Sequence, residues 1–236
     1  MSRRTIATAP LDRRVSAGTQ LYPKLRDLIV TAVLRPGEPL SEARVAEQFG
    51  VSRTPVREAF KRLAEEGFLR IYPQLGTFVS PIQLDAVADS QFIRETLECR
   101  AVVLATERMT SDGRKTLKDR LAAQKRSVAA SDHAAFFASD EAMHADLIRI
   151  AGRPAVWHFI QGAKAQLDRV RCLAIQSQDW LRLMFEQHRT IVDAVLTDDP
   201  AAAETAMREH LKTVFAAIER IVATDQDFFE KGGGAA

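Results

Sequence analysis

Between Ser41 and Gly67 the chain carries two short helical patterns with only Phe49-Gly50-Val51 between them, and no other stretch restricts the fold as tightly. Ser41 is a good N-cap, Val45, Ala46 and Phe49 recur at helical spacing, and Gly50 stands where a helix ends on a left-handed residue. The next helix begins around Ser52 to Pro55, where proline is tolerated because first-turn amides have no intrahelical acceptor. Phe60, Leu63 and Ala64 turn inward, and Gly67 ends the helix. Upstream, Leu21, Leu25, Leu28 and Ile29, with Val33 continuing the series, predict a first helix that stops before Arg35-Pro36-Gly37-Glu38-Pro39. Downstream, Phe68–Tyr72 and Thr77-Phe78-Val79 are β-prone runs separated by Pro73-Gln74-Leu75-Gly76, which predicts a hairpin. Three helices and a hairpin make a winged helix-turn-helix.

Beyond Ser80-Pro81 the pattern is helical to the end, with breaks expected at Asp112-Gly113, around Ser131, at Gly152-Arg153-Pro154, near Ser177 and at Asp198-Asp199-Pro200. Six or seven helices follow. The expected fold is therefore mainly α: a winged helix-turn-helix over residues 15–80 and an all-α antiparallel helical bundle over 81–224. A basic, aperiodic arm over 1–14 precedes them, and a disordered tail over 225–236 ends in glycines. The formal net charge of +2 conceals a division. Residues 1–80 hold 13 Lys and Arg against 8 Asp and Glu, whereas residues 81–236 hold 20 against 23. A basic small domain beside an acidic larger one suggests that the first meets a polyanion. No apolar run approaches the roughly 18 to 20 residues that span a bilayer, and the N-terminus lacks the apolar middle of a secretory signal, so a cytoplasmic protein without a membrane partner is expected. Cys99 and Cys172 are too few for a disulfide framework or a Cys-based zinc site.

In a helix-turn-helix the second helix places its N-terminal residues in the major groove of DNA. Here those are Ser52, Arg53, Thr54 and Arg57. An arginine can bind guanine O6 and N7 bidentately, Ser and Thr can reach bases or phosphates, and the helix N-terminus itself favours a phosphate. The segment from Arg35 to Glu42, followed by GVSRTPVREAFKRLAEEGFL, resembles the DNA-binding domain of GntR-family regulators over about residues 20–80. That resemblance implies DNA contacts by Ser52, Arg53, Thr54 and Arg57, with the wing glycine, Gly76, approaching the DNA. Arg44 on the preceding helix completes the candidate set. Many relatives carry arginine just before the wing glycine, where this chain has Leu75.

In the C-terminal half, helical phase separates the five histidines. Leu181, Met184, His188, Ile191 and Val195 form one apolar stripe, and Met207, His210, Val214, Ala217 and Ile221 another. Asp140, Met143, His144 and Leu147 share a third face. His158 is out of phase with its neighbours and His133 falls in an expected loop. Each inward histidine alone reads as a hydrogen-bonded core residue, but one Asp and three His on three helices match a divalent metal site with nitrogen and oxygen ligands. Asp140-x-x-x-His144, His188 before Ile191, and Met207-x-x-His210 resemble the effector (FCD) domain of the FadR-type branch of the GntR family, over about residues 85–222. The resemblance implies one divalent ion per chain held by Asp140, His144, His188 and His210, Zn2+ in the first place and Ni2+ or Mn2+ otherwise. It also implies a small carboxylate metabolite as effector, a homodimer, and a pseudo-palindromic double-stranded operator. Arg94, Arg169 and Arg171 are candidates to hold an anionic effector, since arginine suits bidentate carboxylate recognition. The expected function is a ligand-responsive repressor rather than an enzyme. Two alternatives are a metal-dependent hydrolase, with Glu141 and Glu209 beside ligands, and a regulator whose Asp/His cluster is structural.

Overall fold

The structure, a computed structural model, describes residues 17–230, so the expected basic arm and the glycine-rich end lie outside the described residues. They form two compact units: one runs to Ile82 and resumes at Asp227, the other is Gln83–Gln226.

The first unit is a three-helix winged domain. Helix α1 (Ala17–Val30) leads to the two-residue strand β1 (Pro39–Leu40), then α2 (Glu42–Phe49), α3 (Arg53–Glu65) and the hairpin β2 (Leu69–Tyr72) and β3 (Gly76–Val79). Leu21, Leu25, Val45, Val56 and Leu63 are buried together in its core. The α2–α3 turn is closed by backbone hydrogen bonds from Gly50 N to Glu47 O and from Val51 N to Ala46 O, with Gly50 at φ 65°. That left-handed conformation is where glycine carries no Cβ penalty. The hairpin is antiparallel from Leu69 opposite Val79 to Tyr72 opposite Gly76.

Three features of this unit differ from the expectations. Helix α1 ends at Val30, and Val33 is 49% exposed. The chain reverses at Ala32, at φ 58°, with Leu34 N donating to Leu28 O, so Leu34 takes the core position that Val33 was expected to fill. Strand β1 pairs with the second edge of β3, making three strands where two were expected. Finally, residues 226–230 are not a disordered tail. Gln226–Phe228 forms a 3-10 turn, Phe228 and Phe229 are buried, Ile82 N donates to Phe228 O, and Glu230 N donates to Ile82 O. The Arg35 guanidinium lies 4.5 Å over the Phe228 ring, and Arg70 pairs with Glu230 at 2.5 Å. Two adjacent phenylalanines bury enough apolar surface to fix so short a segment.

The second unit is a bundle of seven helices: α4 (Leu84–Glu107), α5 (Ser111–Ala130), α6 (His133–Ile150), α7 (Val156–Ala163), α8 (Ala165–Ala174), α9 (Gln178–Leu196) and α10 (Pro200–Thr224). Side chains of Thr110, Asp132, Ser177 and Asp199 cap α5, α6, α9 and α10. Such caps satisfy amides that a helix start leaves without partners. The first break falls at Arg108–Thr110 instead of Asp112-Gly113. Gly113 lies inside α5, where a Cβ would meet Met109 Sδ at 2.9 Å and Ile150 Cδ1 at 3.4 Å, so close packing and not a helix break accounts for the glycine. His133 opens α6 instead of lying in a loop, and an unforeseen break at Lys164 separates α7 from α8. Helix α4 packs against α6 to α10, and α5 against α6 and α9. Val102, Leu117, Met143, Ile191 and Val195 sit at the centre. Among the described residues no helix is long and apolar enough to cross a membrane.

Candidate metal centre and DNA-contact face

In the winged domain, Ser52 stands at the N-cap position of α3 without a side-chain capping bond, and Ser52, Arg53, Thr54 and Arg57 are all exposed. Arg44 on α2 and Gly76 at the start of β3 are exposed as well. Arg57 pairs with Glu42 through its Nε and Nη2, the latter at 3.2 Å, a contact that raises its pKa through the hydrogen bond and competes with any other anion for those donors. Val56, Phe60 and Leu63 face the core, so the two faces of α3 are separated as its phase predicts. Leu75 and Ile71 leave the hairpin tip apolar, 77% and 55% exposed.

In the bundle, Asp140 and His144 on α6, His188 on α9 and His210 on α10 come together, all buried, with one ligand atom of each lying within 4.8 Å of the others. His188 Nδ1 is 2.9 Å from Gln124 Oε1, and His210 Nδ1 is 3.1 Å from Gln187 Oε1. An amide oxygen only accepts, so each Nδ1 carries the proton and each Nε2 presents its lone pair. Those two Nε2 atoms are 3.3 Å apart, and Asp140 Oδ1 is 3.1 Å from that of His188. His144 Nε2 lies 3.8 Å from the same oxygen, while its Nδ1 is 2.5 Å from Glu98 Oε2. Neither His144 nitrogen has an aligned hydrogen bond among the described residues.

Lone pairs facing one another at these separations repel, and an unsatisfied buried ring nitrogen costs about 1 to 3 kcal/mol. A cation at the centre removes the repulsion and gives His144 Nε2 a partner. With metal–nitrogen bonds of about 2.0 to 2.1 Å, tetrahedral donors lie roughly 3.4 Å apart, comparable to the separations here. Each ring's second nitrogen faces an oxygen, the outer arrangement that fixes tautomer and orientation in metal sites.

Electrostatics keep the donors in their ligating forms. Burial pushes the His188 and His210 pKa values down, the latter strongly and with help from His188, so both rings stay neutral. Burial alone would raise the Asp140 pKa, but the Arg171 guanidinium outweighs it and holds it well below the usual range. Glu98 is likewise held low by Arg94 and His144 against burial.

The three candidate effector arginines separate. Arg94 is buried and bound to Glu98 at 2.5 Å, and Arg171 binds the Asp140 carboxylate as well as Glu141 at 2.6 Å and Asp168 at 3.1 Å. Both line a cavity of about 40 Å3 that also touches Asp140 and His210. Arg169 is not at that cavity. It is buried, bonded to Gln166 Oε1, with a pKa pushed down to about 10 by burial. The outer oxygens of Glu98, Gln124 and Gln187 were not anticipated. Gln124 had a signal, since it shares the inward stripe of Leu117, Leu121 and Val128 on α5.

A family profile described as "Bacterial regulatory proteins, gntR family" matches residues 17–79, and one described as "FCD domain" matches residues 89–213. The chain is 34% identical over 212 residues to the HTH-type transcriptional repressor RspR of Escherichia coli K12, covering 90% of this chain and 93% of that one. This chain belongs to the GntR family, with an FCD domain. It is also 41% identical over 209 residues, 89% of this chain and 88% of the other, to an HTH-type transcriptional regulator in an unstable DNA locus of Streptomyces ambofaciens. A probable D-xylose utilization operon transcriptional repressor of Paenarthrobacter nicotinovorans is 30% identical over 201 residues, 82% and 86% of the two chains. Two solved structures share the fold at TM-score 0.72 and 22% identity: E. coli McbR/YncC, and a putative GntR regulator from Rhodococcus sp. RHA1. They cover 87% of this chain and 98% and 99% of their own. The GntR-family chain is a DNA-binding transcription regulator, not an enzyme, and the hydrolase alternative falls away. Glu141, one of the bases considered for it, is held by Arg171 and by Lys164 at 2.6 Å.

Proposed function

We propose that this GntR-family regulator is a homodimeric repressor carrying one divalent ion per chain, most suitably Zn2+, and that a small carboxylate bound beside the ion changes its affinity for a pseudo-palindromic operator. The observation that carries the reading is the convergence of three buried imidazole Nε2 atoms and one carboxylate oxygen from three helices, each ring backed by an oxygen on its far nitrogen. Asp140, His144, His188 and His210 would hold the ion, which would supply positive charge and a coordination position for the effector carboxylate. Arg94 and Arg171, which line the cavity, are proposed to flank that position, and Arg169, which does not line it, is given no part in this reading. On the DNA side, Arg44, Ser52, Arg53, Thr54, Arg57 and Gly76 are proposed to meet the operator, α3 lying in the major groove. Repression is supported by the relatives named as repressors.

The test uses an operator selected from a random DNA pool with the protein itself. Footprinting should show two protected half-sites about one helical turn apart, the spacing of a dimer. Titration with small carboxylates should shift affinity only when metal is loaded. A shift that persists after chelation, or a single unpaired half-site, would overturn the proposal.

A further inference from the structure

We infer that the effector of this bundle is a monocarboxylate with an apolar tail and not a di- or tricarboxylate; the inference rests on the metal-and-carboxylate reading above. Two independent features carry it, one of charge and one of lining.

The charges around the centre are already matched. Arg94 is joined to Glu98, Arg171 to Glu141 as well as Asp140, and Lys164 to Asp168 at 2.6 Å. Against a divalent ion, the neutral imidazoles add nothing and Asp140 subtracts one charge. One positive charge is then left for the ligand, which a single carboxylate neutralises. A second carboxylate would enter a buried site whose arginines already hold carboxylates, where an uncompensated charge is costly.

Most of the residues lining the cavity are apolar. Phe136, Ile175, Trp180, Met184, Val214 and Ala217 are among its apolar residues, and its polar ones are Arg94, Asp140, Arg171, His210 and Thr213. At about 40 Å3 the space holds little more than the carboxylate head. A tail must displace side chains on the α9 side, where Met184, unbranched and adaptable, can change rotamer at low cost. A carboxylate-bearing tail would meet no cation there except Arg94 and Arg171, which already hold carboxylates.

Isothermal titration of the metal-loaded full-length protein with acetate, butanoate, hexanoate, succinate, adipate and hexanol separates the terms. Binding should tighten about fourfold for each added methylene from acetate to hexanoate (~0.8 kcal/mol each) until the wall is covered. Adipate, with the same carbon count as hexanoate, should bind at least tenfold more weakly than hexanoate. Val214→Thr, nearly isosteric, should weaken hexanoate several-fold more than acetate, whereas loss of metal would weaken both alike. Succinate or adipate binding more tightly than hexanoate would overturn this inference while leaving the metal-and-carboxylate reading intact. Hexanol matching hexanoate would overturn the carboxylate head itself, and no binding by any carboxylate would overturn both readings.

Discussion

Replacing Gln124 with leucine removes one hydrogen-bond acceptor from the centre of the bundle and little else. Gln124 is fully buried on α5, its Oε1 2.9 Å from His188 Nδ1 and its Nε2 3.8 Å from Met143 Sδ, so a leucine of similar bulk keeps the packing and deletes the contact. Without the amide oxygen the imidazole is no longer fixed with its proton on Nδ1 and its lone pair on Nε2. Loss of such an outer partner typically costs 10- to 100-fold in metal affinity, about 1.4 to 2.7 kcal/mol. In the metal-stripped protein the same change leaves a buried N–H without its acceptor, which costs about 1 to 3 kcal/mol of folding stability. Competition against a chromophoric chelator at pH 7.5 reads the first quantity and urea unfolding of the stripped protein reads the second. One bound ion per chain should remain, held more weakly. A folded Q124L protein with metal affinity within twofold of wild type would refute the reasoning, because His188 would then be positioned by something other than its Nδ1 contact.

Other consequences are open to measurement. Arg57→Ala should weaken binding to the selected operator by roughly ten- to a hundredfold, and Glu42→Gln, which releases Arg57 from its 3.2 Å ion pair, should tighten it. Equal anisotropy titrations for all three proteins would remove Arg57 from the interface. Tyr22 donates a 2.7 Å hydrogen bond to Glu66, and burial together with that carboxylate pushes its pKa up to about 12. The phenol stays protonated when folded but ionises near 10 when unfolded. Its contribution is therefore complete below about pH 10 and lost as pH rises towards 12, and Tyr22→Phe should flatten that part of the stability profile followed by circular dichroism. Phe228→Ala should destabilise the winged domain by about 3 kcal/mol through loss of a buried aromatic under the Arg35 guanidinium, with urea unfolding as the check. An unchanged midpoint would mean that residues 226–230 contribute nothing to that domain.

What the sequence disclosed, and what it hid, follows from how each signal arises. Gly50 and Gly67 mark helix ends through backbone conformation alone, at φ 65° and 77°, so the helix-turn-helix was legible locally. His188 and His210 could be placed inside because α9 and α10 each bury one continuous stripe. Helix α4 packs against five others, so no single face is apolar and phase could not distinguish a buried Arg94–Glu98 pair from a solvated one. The outer oxygens of Gln124 and Gln187 and the burial of Arg169 depend on neighbours distant in the chain. Local pattern does not encode them. The Phe228–Glu230 segment was obscured by its own position, since a short run before glycines carries no period, although two adjacent phenylalanines were a hint of burial.

The measurement that bears most directly on the account is the metal content of the purified full-length protein, by elemental analysis after exposure to a Zn2+-containing buffer and desalting. The account predicts close to one divalent ion per chain in wild type and almost none in His188→Ala/His210→Ala, with that double variant still folded in its winged domain. A folded wild-type protein that retains no ion, or a double variant that retains as much as wild type, would contradict it.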